Sequence, residues 1–355
     1  MTFHYLKAAI TPKRKLLLIS VSRFGTSIAT MVYAGSLPYL LSAWNMTAAQ
    51  AGSVQAAYNV AYAVSLLVAS LLADRIGAKI VFAVSVWSAA AAFVAFAIGA
   101  RSYESALILN SIVAITQGGT YTPSIMLVAD EFLPERRGRA IGGTLAGASL
   151  GYLVSILLAS GGSNLVSYEW GFYASAIGPI LGAIAGWLAL VNTPNTVHRQ
   201  SRVNSRMGES VVQALMSRRS VLLTIGYTAH AWELLGMWAW TPTFLAAAFR
   251  NHGDVRSPVI ALWIAVAIHL AGVIATLTMG EASDRWGRRS VLVSTALSGA
   301  MLSFTVGWLI DLPPVLLLPI TFIYSFAVLG DSGVLSTAMT EAIRPQHLGT
   351  LLALR

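Results

Sequence analysis

Long apolar runs alternate with short polar connections along almost the whole chain. A helix that crosses a membrane needs about 20 mostly apolar residues, and the pattern predicts ten such helices. They are placed at 16–42, 48–73, 78–99, 104–129, 139–160, 169–191, 220–247, 258–280, 290–311 and 314–339. The predicted fold class is therefore an all-α, polytopic membrane protein.

Two of the polar connections repeat at a fixed spacing. Residues 70–79 read S-L-L-A-D-R-I-G-A-K and residues 280–289 read G-E-A-S-D-R-W-G-R-R, so Asp74 and Asp284 lie 210 residues apart. Glu131 and Glu341, at the ends of two other predicted helices, keep the same spacing. Because recurrence at one period indicates a duplicated architecture, the chain is predicted to contain two pseudo-symmetric halves.

The longest polar connection marks the predicted boundary between the halves. It contains no apolar run long enough for a helix that spans a membrane, although it leaves room for an amphipathic surface helix near 206–216. We therefore divide the chain into a basic lead at 1–15, a six-helix bundle at 16–191, an inter-bundle loop at 192–219, and a second bundle at 220–355 that holds four helices and the start of a fifth.

The D-R-x-G loops, which follow the second and the eighth predicted helix, resemble the loop motif of the major facilitator superfamily of secondary transporters. The resemblance implies a two-bundle fold in which each loop latches a gate, its aspartate docking on the start of another helix. The alternative is a plain structural turn. The residues concerned are Asp74, Arg75, Gly77, Lys79, Gly280, Asp284, Arg285, Gly287, Arg288 and Arg289.

The family usually has twelve helices, whereas ten are predicted here, and the repeat indicates which two are missing. Since Glu341 corresponds to Glu131, a fifth helix of the second half is expected to start just before Arg355. The sequence thus predicts that the last two helices are missing, either in a fragment or in a shortened ten-helix form. Asp74 is accordingly expected to find its docking partner, the eleventh helix, largely absent.

Composition supports a membrane location and argues against several other classes. Charged residues make up 10% of the chain, against about 25% in a soluble domain. The net charge of +9 does not indicate nucleic-acid binding, because the basic residues lie in short loops. The chain has no cysteine, and it contains no H-E-x-x-H, Walker or G-x-S-x-G motif. We expect neither an enzyme nor a bound cofactor or metal.

Lys and Arg residues fall almost entirely on one side of the predicted membrane. Of the 23, all but Arg23, Arg101, Arg250 and Arg256 lie on the side of the N-terminus. Basic loops remain in the cytoplasm, so the N-terminus is predicted to be cytoplasmic and the protein to lie in a bacterial inner membrane.

Polar faces inside the predicted helices mark a candidate cavity. Steps of three and four place the polar residues of the second helix on one face, and the fourth helix adds two more. Such a face normally points at a cavity; the alternative is hydrogen bonding that holds helices together. The candidates are Gln55, Tyr58, Asn59, Tyr62, Gln117 and Tyr121.

Ionisable residues near mid-span are costly and indicate function. Arg23 lies roughly 10 Å inside the first helix, where it could bind an anion, form an ion pair, or extend to the surface. In the seventh helix His230 and Glu233 share a face beside Trp238. We predict that Glu233 takes up and releases the coupling proton, with His230 sharing it. Asp331, in the tenth helix, is the second mid-span acid.

Glycine recurs every fourth residue in the fifth predicted helix, at Gly143, Gly147 and Gly151. Without side chains these positions form a flat stripe on which another helix can pack closely.

The sequence as a whole predicts a monomeric permease that moves a small solute across the lipid bilayer by alternating access, coupled to protons or another ion. Arg23 and the basic character favour a small organic anion, and sugars come second. The alternatives are a non-transporting receptor or scaffold on the same fold, or a nonfunctional fragment.

Overall fold

A computed structural model describes residues 11–197, 217–252, 257–342 and 348–353. Within these residues the regular elements are helices, so the all-α prediction is confirmed. The first ten residues of the lead and most of the inter-bundle loop, including the surface helix considered near 206–216, lie outside the described ranges.

The N-terminal half comprises seven helices. The first two form a single span that is interrupted near Ala29, and the others each correspond to one predicted span. They are α1 (Pro12–Ile28), α2 (Val32–Ala43), α3 (Ala48–Ile76), α4 (Ala78–Gly99), α5 (Tyr103–Glu131), α6 (Pro134–Leu165) and α7 (Tyr168–Leu190).

The C-terminal half continues with α8 (Arg218–Asn251), α9 (Ser257–Trp286), α10 (Arg288–Thr305), α11 (Pro314–Ala342) and α12 (Leu348–Ala353), with a 3-10 turn at Val306–Leu309 after α10. Eight helical segments of the described chain are long and apolar enough to cross a membrane. The helices α5 and α8, of 29 and 34 residues, are not among those eight but correspond to the fourth and seventh predicted spans. Together these segments match the ten predicted spans.

Glycines fix the two tight D-R-x-G loops. Gly77 and Gly287 have φ angles of +95° and +87°, a region that a residue with a Cβ rarely adopts. They separate α3 from α4 and α9 from α10. Each loop therefore reverses the chain within one residue, which holds the aspartate of the motif close to the neighbouring helices.

The glycine stripe of α6 packs as predicted at two of its three positions. A Cβ on Gly147 would lie 2.5 Å from the carbonyl oxygen of Ser20, and one on Gly151 would clash with that of Phe24. Both contacts are with α1. Gly143 has no neighbour within 4 Å, so it does not contribute to the close contact.

The two halves meet along α6 and α9. A Cβ on Gly142 would overlap the carbonyl oxygen of Thr276, and one on Gly280 would lie 2.6 Å from that of Gly138. Both contacts lie toward the end of the bundle where α1 begins and where both D-R-x-G loops lie, which we call the basic end. In this conformation the halves are therefore closed against each other at the basic end.

Candidate functional site

A cavity of about 110 Å³ lies between the two halves. The N-terminal half contributes side chains of α1, α5 and α6, and the C-terminal half contributes side chains of α8, α9 and α11. The polar and aromatic residues of its lining include Arg23, Tyr121, Ser149, Tyr152, Tyr227, His230, Trp238, Thr276 and Ser332. Since both halves line it, a rocking motion of one half against the other would change its access.

Arg23 is the positive charge of this cavity. Its side chain is buried in the bundle, with the residue 3% exposed, rather than extended to the surface. Nη1 donates a hydrogen bond to Thr120 Oγ1 at 2.8 Å, and the guanidinium lies 5.2 Å from the ring centroid of Tyr121. Nε is buried without a hydrogen-bond partner. A buried guanidinium with an unused donor is suited to bind a carboxylate in the cavity.

Two tyrosines bound the cavity on the side of the basic end. The hydroxyl groups of Tyr121 in α5 and Tyr227 in α8 are 2.8 Å apart, so a hydrogen bond joins the two halves there. The guanidinium of Arg23 stacks on the ring of Tyr121. The tyrosine that forms this hydrogen bond therefore also contacts the positive charge of the cavity.

An aromatic cluster bounds the cavity on the opposite side. Trp238 lies 11 residues after Tyr227 in α8, roughly 16 Å farther along the helix axis. Its ring centroid is 5.8 Å from that of Tyr152 in α6 and 5.7 Å from that of His269 in α9. The predicted cavity residue Trp238 thus lines the cavity, whereas Trp232 and Trp240 are 84% and 74% exposed on the outside of the bundle.

His230 forms a buried pair with Asp331. Its Nδ1 lies 2.7 Å from Asp331 Oδ1, at ion-pair distance although without the alignment of a linear hydrogen bond. Its Nε2 is hydrogen-bonded to Ser332 Oγ at 2.9 Å. His230 and Ser332 line the cavity, while Asp331 lies behind the imidazole. The predicted residues of the seventh and tenth spans are therefore brought together.

Glu233 lies elsewhere, which corrects the predicted arrangement of the seventh span. Its Oε1 accepts a hydrogen bond from Ser303 Oγ at 3.2 Å, and the carboxylate packs on Gly299 of α10. It is not among the residues that line the cavity. His230 and Glu233 are three residues apart, but their side chains reach different neighbours: His230 contacts residues of α11 and Glu233 contacts residues of α10.

The polar face of α3 does not line the cavity either. Tyr58 donates a hydrogen bond to Gln117 Oε1 at 2.6 Å, and Gln117 Nε2 donates to the carbonyl oxygen of Thr26 at 3.2 Å. These contacts join α3, α5 and α1 inside the N-terminal half. The ring of Tyr62 stacks on Tyr58, and Gln55 hydrogen-bonds to the exposed Asn59. The alternative interpretation, hydrogen bonding between helices, describes Tyr58 and Gln117.

The second D-R-x-G loop joins the two halves. Asp284 accepts hydrogen bonds from the backbone N–H groups of Gly138 at 3.0 Å and Arg139 at 2.7 Å, in the first turns of α6. Arg288 is 2.5 Å from Asp284 and donates to the carbonyl oxygen of Pro134 at 2.9 Å. A carboxylate is stabilised at a helix N-terminus, so Asp284 binds the C-terminal half to the N-terminal half.

The first loop makes an equivalent contact, contrary to the expectation that its partner would be largely absent. Asp74 Oδ1 accepts a hydrogen bond from the N–H of Gly349 at 2.7 Å, at the start of α12. Lys79 donates to the carbonyl oxygen of Thr193 at 2.6 Å. The remaining basic residues of the motif, Arg75, Arg285 and Arg289, are exposed at the basic end.

The repeated glutamates have equivalent partners as well. Lys15 is 2.5 Å from Glu131, and Glu341 lies 2.9 Å from Arg288 and 3.9 Å from Arg219. Lys15 and Arg219 both lie near the start of the first helix of their half. The duplication inferred from spacing is thus present in the contacts.

Sequence reasoning missed five polar or aromatic residues of the cavity lining, Ser149, Tyr152, Tyr227, Thr276 and Ser332. Each stands in an apolar helix where a tyrosine, serine or threonine is ordinary, so a single sequence gives little reason to select it. Ser332 follows Asp331 directly, and that neighbour was the only available signal.

Comparison with protein families identifies the architecture. The profile of the Major Facilitator Superfamily matches residues 19–355. Among sequence relatives, a Bacillus subtilis protein described as a candidate niacin/nicotinamide transporter is 26% identical over 337 residues, covering 90% of this chain and 80% of its own. A Cupriavidus pinatubonensis protein provisionally assigned to 4-methylmuconolactone transport is 24% identical, covering 86% and 70%.

Solved structures share the fold at low identity. The human organic anion transporter has a TM-score of 0.77 at 15% identity, with 98% of this chain and 90% of that chain covered. The Escherichia coli fucose:proton symporter has a TM-score of 0.69 at 13% identity, with 96% and 87% covered. At these identities the likeness shows the fold alone.

Proposed function

Because the chain belongs to the major facilitator superfamily, and is thus a multi-pass membrane transporter of small molecules, we propose that it carries a small organic anion by alternating access, coupled to protons. It acts as a monomer in a bacterial inner membrane, with the basic end and the N-terminus in the cytoplasm. The distribution of Lys and Arg supports this orientation.

The observation that carries the anion proposal is Arg23. A positive charge buried in a cavity is costly unless it is paired, and the contacts of Arg23 in the described structure are the hydroxyl groups of Thr120 and Tyr152 and the ring of Tyr121. A carboxylate bound at Nε would give Arg23 a negatively charged partner in direct contact. Arg23 therefore provides the main binding energy for an anionic substrate.

The size and walls of the cavity narrow the substrate further. A volume of about 110 Å³ is close to the cavity of about 150 Å³ that binds benzene in an engineered protein. Tyr121, Tyr152 and Trp238 offer ring faces beside Arg23. A compact monocarboxylate with a ring fits these walls better than a long or doubly charged acid.

The names of the relatives support the same class of solute. Transport of niacin or nicotinamide, of 4-methylmuconolactone and of organic anions is ascribed to three of the proteins that this chain resembles. Two of them are sequence relatives that match most of the chain. Sugars are the second candidate, as the fucose symporter shares the fold.

Alternating access follows from the arrangement of contacts around the cavity. The Asp284 contact and the Tyr121–Tyr227 hydrogen bond hold the halves together at the basic end. For the cavity to open toward that end, both must break while the halves rotate about the substrate. The present conformation is closed to the proposed cytoplasmic side.

Purified protein in proteoliposomes tests this function. Counterflow of radiolabelled nicotinate, benzoate, lactate and glucuronate should exceed that in protein-free vesicles, whereas nicotinamide and glucose should show no counterflow. Arg23→Gln should raise the half-saturation concentration of the transported acids by roughly 10–100-fold, because a hydrogen bond to a charged group contributes about 1.5–3 kcal/mol. Arg23→Lys should give an intermediate half-saturation concentration, since lysine keeps the positive charge but lacks the planar guanidinium with its paired N–H donors.

Arg101→Gln is the matched control, because Arg101 is an exposed arginine that bonds Tyr173 outside the cavity. Unchanged half-saturation in Arg23→Gln would contradict the anion site. If the wild-type protein gives no counterflow of any of these solutes, a receptor or scaffold role becomes the better interpretation.

A further inference from the structure

The charges around the cavity imply a fixed ratio of protons to substrate. We infer that the His230–Asp331 pair is the proton-binding site of the transporter and that one proton accompanies each monocarboxylate. This inference rests on the proposed transport of organic anions, and it replaces Glu233 as the coupling residue.

The pair has the geometry that such a site needs. His230 and Asp331 are 4% and 7% exposed, and Nδ1 and Oδ1 are 2.7 Å apart. The imidazole lines the cavity, and its Nε2 is hydrogen-bonded to Ser332. A proton that arrives through the cavity therefore meets the imidazole first, and the carboxylate behind it stabilises the resulting charge.

Counting charge gives the coupling rule. In the empty cavity Arg23 carries one positive charge and the unprotonated pair carries one negative charge, so the sum is zero. A bound monocarboxylate makes the sum negative, and a proton on the pair restores it to zero. A net charge buried between closed halves is costly, so the halves should close over neither the anion alone nor the proton alone.

The tyrosines of the cavity add no charge to this count, whereas the charge of Glu233 interacts with those of both Asp331 and His230. Tyr121, Tyr152 and Tyr227 line the cavity and are neutral at physiological pH. His269 of α9 has the rings of Tyr152 and Trp238 as its described contacts, without a carboxylate at ion-pair distance in the described structure.

On its other side Asp331 faces a groove between α8, α10 and α11 with basic residues at its rim. Arg218, Arg219 and Arg289 of this rim are exposed, and Arg288 is tied to Asp284 and Glu341. Solvent screens the exposed charges, and the paired charges largely cancel. Arg23 and the pair therefore dominate the charge of the cavity.

Glu233 does not meet these requirements. Its carboxylate is bonded to Ser303, which in turn contacts the hydroxyl of Tyr324. It lies on the α10 side of α8, outside the lining of the cavity. Its charge interacts with those of Asp331 and His230, so protonation of Glu233 would act on the pair from outside the cavity rather than change the charge beside the substrate.

Two measurements on the full-length protein in proteoliposomes separate proton coupling from substrate binding. One is accumulation of substrate driven by a pH gradient, and the other is counterflow without a gradient. The probe is glucuronate or whichever carboxylate of the panel is exchanged fastest, with protein-free vesicles subtracted. A one-to-one symporter should concentrate it about tenfold per unit of pH gradient, and an imposed potassium diffusion potential should leave the rate unchanged. Asp331→Asn should abolish this accumulation while retaining counterflow, since the anion alone then neutralises Arg23. His230→Gln leaves the charge of Asp331 in place, so the anion-loaded cavity stays negative and both accumulation and counterflow should fall.

Glu233→Gln is the matched control and should accumulate substrate like the wild-type protein. Accumulation retained in Asp331→Asn, or lost in Glu233→Gln, would overturn the inference. Loss of counterflow together with accumulation in Asp331→Asn would also overturn it, since Asp331 would then serve folding or substrate binding. Failure of the proposed function looks different, because the wild-type protein itself would show no carboxylate counterflow.

Discussion

We expect a hydrogen bond between two hydroxyl groups to control how readily the cavity opens toward the basic end. The hydrogen bond between Tyr121 and Tyr227 links the halves at the edge of the cavity, and Arg23 stacks on one of its rings. A substrate carboxylate that draws the guanidinium toward itself would change the packing on that ring. We therefore expect the proposed substrate site and the gate to be coupled through the side chain of Tyr121.

Removing one of these hydroxyl groups should make the cavity open more often toward the basic end, while the residues proposed to bind substrate stay in place. The chain lacks cysteine, so a single Ser149→Cys change in the cavity lining can report access. In that background Tyr227→Phe should speed labelling by an impermeant maleimide from the basic end about fivefold, as one net hydrogen bond contributes about 1 kcal/mol. Tyr173→Phe, whose hydroxyl bonds Arg101 within one half, is the control. Equal labelling rates in both variants would refute the gate.

What the sequence predicts at this scale depends on how unusual a residue is in its helix. Arg23, His230 and Asp331 are conspicuous because charge is rare in a span, and all three lie at or beside the cavity. Glu233 is equally conspicuous and lies outside it. Periodicity gives the face of a helix but not its rotation relative to the neighbours, so it could not separate these cases.

At the scale of helices, α6 packs closely on α1 and on α9. Gly147 and Gly151 admit the backbone of α1 from the same half, and Gly142 admits that of α9 from the other half. Apolar runs predicted the helix boundaries well because hydrophobic length is set by the bilayer. The assignment of each glycine to a neighbour needed the structure, since every glycine of such a stripe looks alike in sequence.

The stripe offers a matched pair of substitutions. Gly147→Ala should lower the thermal unfolding midpoint in detergent, because the new Cβ would overlap the carbonyl oxygen of Ser20 and force α1 away. Gly143→Ala meets no atom within 4 Å and should be neutral or slightly stabilising, since alanine favours a helix by about 1 kcal/mol over glycine. Similar midpoints for the two variants would show that α1 adjusts freely.

At the scale of the whole molecule, the duplicated loops place one aspartate of each half on a helix start of the other. Asp284 binds the first turns of α6, and Asp74 binds the start of α12. The spacing of 210 residues predicted this duplication. It did not show that the loops cross between the halves, because a repeat gives the equivalence of two sites and says nothing of the interface on which they act.

Asp284 should therefore control the balance between the two orientations of the carrier. Its carboxylate accepts two backbone N–H groups and faces Arg288. Asp284→Asn keeps the shape but loses the charge and one acceptor, at a cost of about 1.5–3 kcal/mol for a charged hydrogen bond. We expect the basic end to be open roughly 10–100-fold more often. Leu133 and Trp286 are both exposed at that end. Double electron–electron resonance between spin labels on Leu133→Cys and Trp286→Cys should show a larger population at long inter-label distances than in the protein with Asp284.

The same variant should slow counterflow, because a carrier that rests open to one side binds substrate from the other side less often. Asp311→Asn removes an exposed carboxylate at the opposite end of the bundle and should change neither the distance distribution nor the flux. If Asp284→Asn leaves the distances as they are and transports at the wild-type rate, the loop is only a turn between two helices. A slower flux with unchanged distances would place the role of Asp284 in folding rather than in the gate.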